Sequence, residues 1–291
     1  MGDGPRAAEA IERAAVLGSG TMGHGIAQVL AMAGIETALF DVSGEALERG
    51  LAAVRANLDQ GVERGKVEES VRRGALERLR GDTDLGRATA GVHVVVEAVP
   101  EDLDLKRSLF GELGAALGSD VLLATNTSSL PISRVAEAAR FPERVVGMHF
   151  FNPVHIMRLV EVVRGERSSE RAVRTALDLA RRLGKQPIDV RDAPGFASSR
   201  LGIAIGLEAM RMLEEEVASA EDIDQAMVLG YGFPMGPLKL TDLVGLDVRL
   251  SISEHLAREL GPRFEPPRLL REKVARGELG KKTGKGFYEW P

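Results

Sequence analysis

Residues 18–23 read Gly18-Ser19-Gly20-Thr21-Met22-Gly23, and what flanks this hexapeptide decides the fold. An apolar run at 14–17 leads into it, and after it Ile26, Val29, Leu30 and Ala33 recur at helical spacing until Gly34 stops the pattern. The order is strand, glycine turn, helix. A second apolar run at 37–40 ends on Asp41 and completes a βαβ unit of about 30 residues. Glycine is common here, 33 of 291 residues, so the bare spacing means little. Between a strand and a helix, however, the three glycines serve a tight turn, close backbone approach to a pyrophosphate, and a helix N-terminus facing its charge. Asp41 supplies a carboxylate for a ribose diol that would repel a 2′-phosphate, and Val42, Ser43 and Gly44 behind it offer no cation. The turn therefore reads as a site for NAD rather than NADP, with Gly18, Ser19, Gly20, Thr21, Met22, Gly23 and Asp41 as its residues.

Working outward, apolar runs at 92–96, 121–124 and 145–148 alternate with helical patterns at 103–117 and 132–139. Such alternation predicts an α/β fold, a Rossmann-type, doubly wound and mostly parallel sheet. Residues 45–80 are too long and too charged for a simple crossover and predict a helical hairpin inserted in that domain. Runs at 159–163 and 187–190 predict late strands flanking an amphipathic helix at 169–183. At Asp192-Ala-Pro-Gly-Phe196 the character changes to turn chemistry, followed by helical patterns broken by Gly and Pro. Two domains are expected: 1–191 for the cofactor, and 192–291 as an all-helical C-terminal domain for dimerisation and closure of the substrate site.

Hydrophobic residues at 44% and charged residues at 28% are those of a folded globular chain. The absence of cysteine excludes disulfides, thiolate zinc sites and a cysteine nucleophile. A net charge of −5 gives no reason to expect nucleic acid. No apolar run approaches the roughly 18 residues of a membrane span, and residues 1–10 lack the basic-then-apolar order of a secretion signal. A cytoplasmic protein without membrane or nucleic-acid partners is expected.

A metal-free alcohol dehydrogenase needs a base for the hydroxyl proton, and histidine suits neutral pH. Of His24, His93, His149, His155 and His255, only His149 ends a predicted sheet strand, where open α/β sheets bind their ligands. Glu161 interrupts the run Leu159-Val-Glu161-Val-Val163, and period-2 alternation puts it on the same face as Leu159 and Val163. A carboxylate on a buried face needs a partner, and His149 is a suitable one. An edge strand with Glu161 in water is the alternative.

With these residues stand Glu97-Ala-Val-Pro-Glu101, Asn126-Thr-Ser-Ser-Leu130, His149-Phe-Phe-Asn-Pro153, Pro194-Gly-Phe196, Pro234-Met-Gly-Pro237 and Gly284-Lys-Gly-Phe-Tyr288. Together and in this order they resemble the 3-hydroxyacyl-CoA dehydrogenase family, with the bacterial 3-hydroxybutyryl-CoA enzymes nearest, from about Ala14 onward. The resemblance implies NAD-dependent oxidation of the 3-hydroxyl of a 3-hydroxyacyl-CoA in fatty-acid or butanoate metabolism. It implies His149 as base, Glu161 as its orienting partner and Ser128 as a hydroxyl donor to the substrate oxygen. Glu101, Lys106, Asn152 and Lys282 would contact NAD or acyl-CoA. Asn57, Arg64 and Lys66, with Arg72 and Arg73, would lie on the CoA side of the hairpin. A homodimer through the helical domain is also implied. Ser199 stands where the family carries an Asn in the substrate site. A non-CoA hydroxy-acid dehydrogenase of the L-gulonate type, or a silent structural homologue, are the competing readings.

Overall fold

The computed structural model describes residues 4–291; residues 1–3, part of the stretch read above for a secretion signal, lie outside the described residues. The chain divides into two compact units, Met1–Ala193 and Pro194–Pro291.

Unit 1 holds an eight-stranded sheet: β1 Arg13–Leu17, β2 Glu36–Phe40, β3 Leu79–Asp82, β4 Val94–Glu97, β5 Leu122–Thr125, β6 Val145–Phe150, β7 Leu159–Arg164 and β8 Gln186–Arg191. Their spatial order is β3-β2-β1-β4-β5-β6-β7-β8. The first six form the parallel 3-2-1-4-5-6 arrangement that places a dinucleotide at the switch point between β1 and β4. β7 runs antiparallel to β6, and β8 is parallel to β7. The central strands β1, β4, β5 and β6 are covered on both faces, which is why they read as unbroken apolar runs.

The helices of unit 1 are α1 Gly23–Met32, α2 Gly44–Glu63, α3 Glu69–Arg78, α4 Leu85–Thr89, α5 Leu103–Ala116, α6 Ile132–Ala136 and α7 Glu170–Arg182. On α7 the buried residues Ala172, Val173, Ala176, Leu179 and Ala180 repeat at three- and four-residue intervals and join the core with Ile26, Leu30 and Val162. α2 and α3 form a hairpin whose own small core, Val54, Leu58 and Ala75, packs with Ala31 of α1. The sequence reading takes residues 45–80 as helical throughout. The chain instead leaves α3 at Arg78 and adds the edge strand β3, whose half-exposed Leu79-Arg-Gly-Asp82 carries too little apolar signal to announce a strand.

Unit 2 is helical: α8 Ser198–Glu214, α9 Ala220–Tyr231, α10 Pro237–Val244, α11 Leu246–Leu260 and α12 Arg268–Ala275 around Ile203, Leu207, Met210, Leu238, Leu246 and Leu256. Among the described residues no helix is long and apolar enough to cross a membrane.

Candidate active site

The glycine turn joins β1 to α1, and its three glycines have different causes. A Cβ on Gly18, whose φ is +96°, would lie 2.6 Å from the carbonyl oxygen of Ala98; one on Gly23 would lie 1.7 Å from that of Gly18. The protein's own backbone forces both. A Cβ on Gly20 would meet nothing within 4 Å, so the outer side of the turn is open to a close-approaching diphosphate. Thr21 is exposed there and half-buried Met22 immediately precedes α1.

Asp41 follows β2. Its Oδ2 accepts from the Ser19 amide (2.9 Å) and hydroxyl (2.7 Å), and its Oδ1 from the Ser43 amide (3.1 Å). Partial burial pushes this carboxyl up, but the hydrogen bonds and the charge of Arg49 outweigh it and hold it below its ordinary value. It is an ionised group in place for a ribose.

The C-terminal ends of β1, β4, β5 and β6 share one edge of the sheet, with Leu17, Glu97 and Thr125 in one transverse row. β6 places His149 there, and the antiparallel register of β7 sets Glu161 directly opposite. His149 Nδ1 and Glu161 Oε2 are 2.7 Å apart, with the carboxylate wholly buried. β7 is buried on both faces, Val160 and Val162 as much as Glu161, so burial does not follow the period-2 alternation expected of it. Because a carboxylate only accepts, Nδ1 carries the proton and Nε2 the basic lone pair.

Between these two features lies a polar cluster. Glu101 Oε1 accepts from the Thr127 hydroxyl (2.5 Å), the Ser128 amide (3.0 Å) and both the amide (3.3 Å) and hydroxyl (3.2 Å) of Ser129. Burial raises the Glu101 carboxyl, but Thr127, the charge of Lys106 and the turn's amides together lower it below the ordinary range. Lys106 joins this cluster from α5. Its side chain is 1% exposed, and its ammonium sits 2.6 Å from Glu97 Oε1 and 3.4 Å from Glu101 Oε2. Glu97 was not singled out in the sequence as a site residue, although it gives the same signal as Glu161, an acid in an apolar run. Asn126 was missed too; its side-chain oxygen accepts from the Phe150 amide (2.9 Å) and ties the Ser128 turn to the end of β6.

The remaining expected residues belong to several other elements. Asn57 donates to Gln28 (3.2 Å), anchoring α2 on α1. Arg64 and Lys66 are exposed at the hairpin tip, whereas Arg72 pairs with Asp59 and Glu69 and is less available to a ligand. Asn152 is exposed after β6 and precedes a cis Pro153. In unit 2, Ser199 is half-buried in the first turn of α8, and Lys282 is salt-bridged to Asp247.

A parallel sheet with its glycine turn at the switch point, an acid ending β2 and a histidine–carboxylate pair at the same strand edge define a nicotinamide-dinucleotide dehydrogenase. Residues 13–193 match the NAD binding domain of 3-hydroxyacyl-CoA dehydrogenases and residues 195–290 match their C-terminal domain. The chain belongs to the 3-hydroxyacyl-CoA dehydrogenase family, and its cofactor is NAD. It is 42% identical to the 3-hydroxybutyryl-CoA dehydrogenase of Mycobacterium tuberculosis, over 97% of this chain and 99% of that one. The crystal structure of (S)-3-hydroxybutyryl-CoA dehydrogenase from Ralstonia eutropha is 39% identical and superimposes with a TM-score of 0.93, covering 97% of this chain and all of the other. The 3-hydroxyadipyl-CoA dehydrogenase of Escherichia coli is 43% identical, and the chain spans 59% of its length.

Proposed function

We propose that this enzyme reversibly oxidises short (S)-3-hydroxyacyl-CoA esters at the 3-hydroxyl, with His149 as the base. The observation that carries the reading is the buried 2.7 Å contact between His149 Nδ1 and Glu161 at the ligand-binding edge of the sheet. Glu161 fixes the tautomer, so Nε2 takes the hydroxyl proton. The resulting imidazolium is stabilised by a carboxylate shielded from water, where charge interactions are stronger than in bulk. Bound NAD supplies the hydride acceptor. Ser128 donates its hydroxyl to the substrate oxygen, Asp41 holds the adenosine ribose, and Arg64 and Lys66 offer cations to the CoA phosphates. Asn152 contributes a further contact to NAD or the acyl-CoA.

A homodimer formed through unit 2 accompanies this reading. Among the described residues, eight of the fourteen exposed large apolar side chains, Leu229 and Tyr231 foremost, lie in unit 2, which is the smaller of the two. We place the enzyme in the cytoplasm, in fatty-acid or butanoate metabolism.

An NADH absorbance assay tests the reading with 3-hydroxybutyryl-CoA, 3-hydroxyadipyl-CoA, a long-chain homologue and free L-gulonate. Fastest turnover is expected with the butyryl ester and with NAD far ahead of NADP. Preference for L-gulonate, or equal efficiency with the two cofactors, rejects it. Light scattering should return twice the 31.2 kDa of one chain; a monomer rejects the dimer.

A further inference from the structure

Residues 125–129 carry four hydroxyl groups, on Thr125, Thr127, Ser128 and Ser129. Three are held by acids: Thr125 donates to Glu97 Oε2 (2.6 Å), and Thr127 and Ser129 donate to Glu101 Oε1. Among the described residues the Ser128 hydroxyl has no such partner, although its own backbone amide is pinned to Glu101. One hydroxyl is thus presented while its neighbours are tied down.

The two acids are joined through Lys106, whose ammonium lies 2.6 Å from Glu97, 3.3 Å from the carbonyl of Val99 and 3.4 Å from Glu101. Glu97 also accepts from the Val99 amide (2.7 Å), which fixes the backbone leading to Glu101, and its carbonyl accepts from the Asn126 amide (2.8 Å). Stability alone does not account for the pair. Glu97 is wholly buried and Lys106 nearly so, and an apolar pair of similar volume is often as stable or more so, because both charges must be stripped of water. What an apolar pair could not do is hold a third, half-exposed carboxylate in a chosen position.

We propose that the buried Glu97–Lys106 pair is a positioning device for Ser128: it fixes Glu101, Glu101 fixes the 127–129 turn, and the turn aims the one unengaged hydroxyl at the substrate oxygen. The inference rests on the substrate role assigned to Ser128 above. It gives Glu97 a function in turnover, and makes Lys106 a residue that acts through Glu101.

The test is a cycle between the pair and Ser128. The double variant Glu97→Gln/Lys106→Met removes both charges at once, and the near-isosteric single variant Glu97→Gln covers the case where the double fails to fold. Each is made in the native and the Ser128→Ala background, with kcat from NADH absorbance and NADH affinity from its fluorescence. In the native background kcat should fall about tenfold, with NADH affinity held within about twofold in Glu97→Gln, which keeps Lys106. In the Ser128→Ala background the same changes should cost less than about twofold in kcat, since what they misplace is already gone. Equal losses in both backgrounds, or none in either, overturn the proposal. Normal turnover of Ser128→Ala by itself instead overturns the substrate role of Ser128, and the proposal falls with it.

Discussion

Both units bury carboxylates, and they use them in different ways. In unit 1, Glu161 meets a histidine, while Glu97 meets a lysine that also reaches Glu101. In unit 2, Asp242 accepts from the backbone amides of Phe287 and Tyr288 and from the indole of Trp290, and Asp224 accepts from the amides of Leu238 and Lys239 at the start of α10 and from the Tyr288 hydroxyl. Burial and then the neighbouring Asp224 push the Tyr288 hydroxyl well above the ordinary phenol range, so it stays a donor. A Cβ on Gly236 or Gly286 would fall 2.2 Å from these same acids. The Pro234-Met-Gly-Pro237 and Gly284-Lys-Gly-Phe-Tyr288 motifs are therefore explained by acids that fasten backbone, whereas Glu161 and Glu97 each also touch a basic side chain that can carry a proton or a charge. A buried acid is a functional signal only once its partner is known.

The sharpest way to break this contrast is at the dyad. His149→Ala should lower kcat by about 10²-fold or more, the usual scale for losing a positioned base, with NAD affinity nearly unchanged, and Glu161→Gln should act in the same direction more mildly. Near-native turnover in both would put the dyad in the fastening class. Asp242→Ala should do the opposite. Leaving three partly buried donors unmet costs on the order of 3 kcal/mol of stability, visible as a lower Tm, while kcat per folded molecule stays within about twofold. A large kcat loss in soluble, folded protein would erase the distinction.

Ser199 sharpens it from the side of unit 2. Ser199 stands where the family carries an Asn, and Ser199→Asn should raise kcat/KM by less than about tenfold. A fall would show a pocket rebuilt around serine. The smallest expected effect is at Glu101. Its folded carboxyl lies below the ordinary value of 4.5, so it contributes stability above that pH and loses it as pH falls through the lower folded value. The Tm difference between wild type and Glu101→Gln should therefore shrink steadily below about pH 4.5, and a constant difference would mean that the ionised form is not what holds the turn.

The parallel strands and the glycine turn were legible because both depend on local sequence: unbroken apolar runs for strands covered on two faces, and glycines flanked by strand and helix. His149 and Glu161 were legible as polar interruptions of such runs. What stayed hidden depends on partners distant in sequence. Lys106 looks like a surface residue on α5 until Glu97, nine positions earlier, is brought against it at the end of β4. β3 stayed hidden for the opposite reason, since an edge strand open to solvent needs no apolar face and shows no alternation.

The antiparallel pairing of β6 with β7 has a consequence for how the site fails. His149 and Glu161 face each other in the ladder between β6 and β7, and β8 pairs with β7 on the far side of Glu161, so neither backbone can move without opening that ladder. Their amide hydrogens should exchange with solvent only through global unfolding, while the glycine turn and the 127–129 turn exchange through local openings. On warming, the parts that hold the cofactor and aim the substrate would loosen first, and the proton-transfer pair would be the last element of the site to be lost.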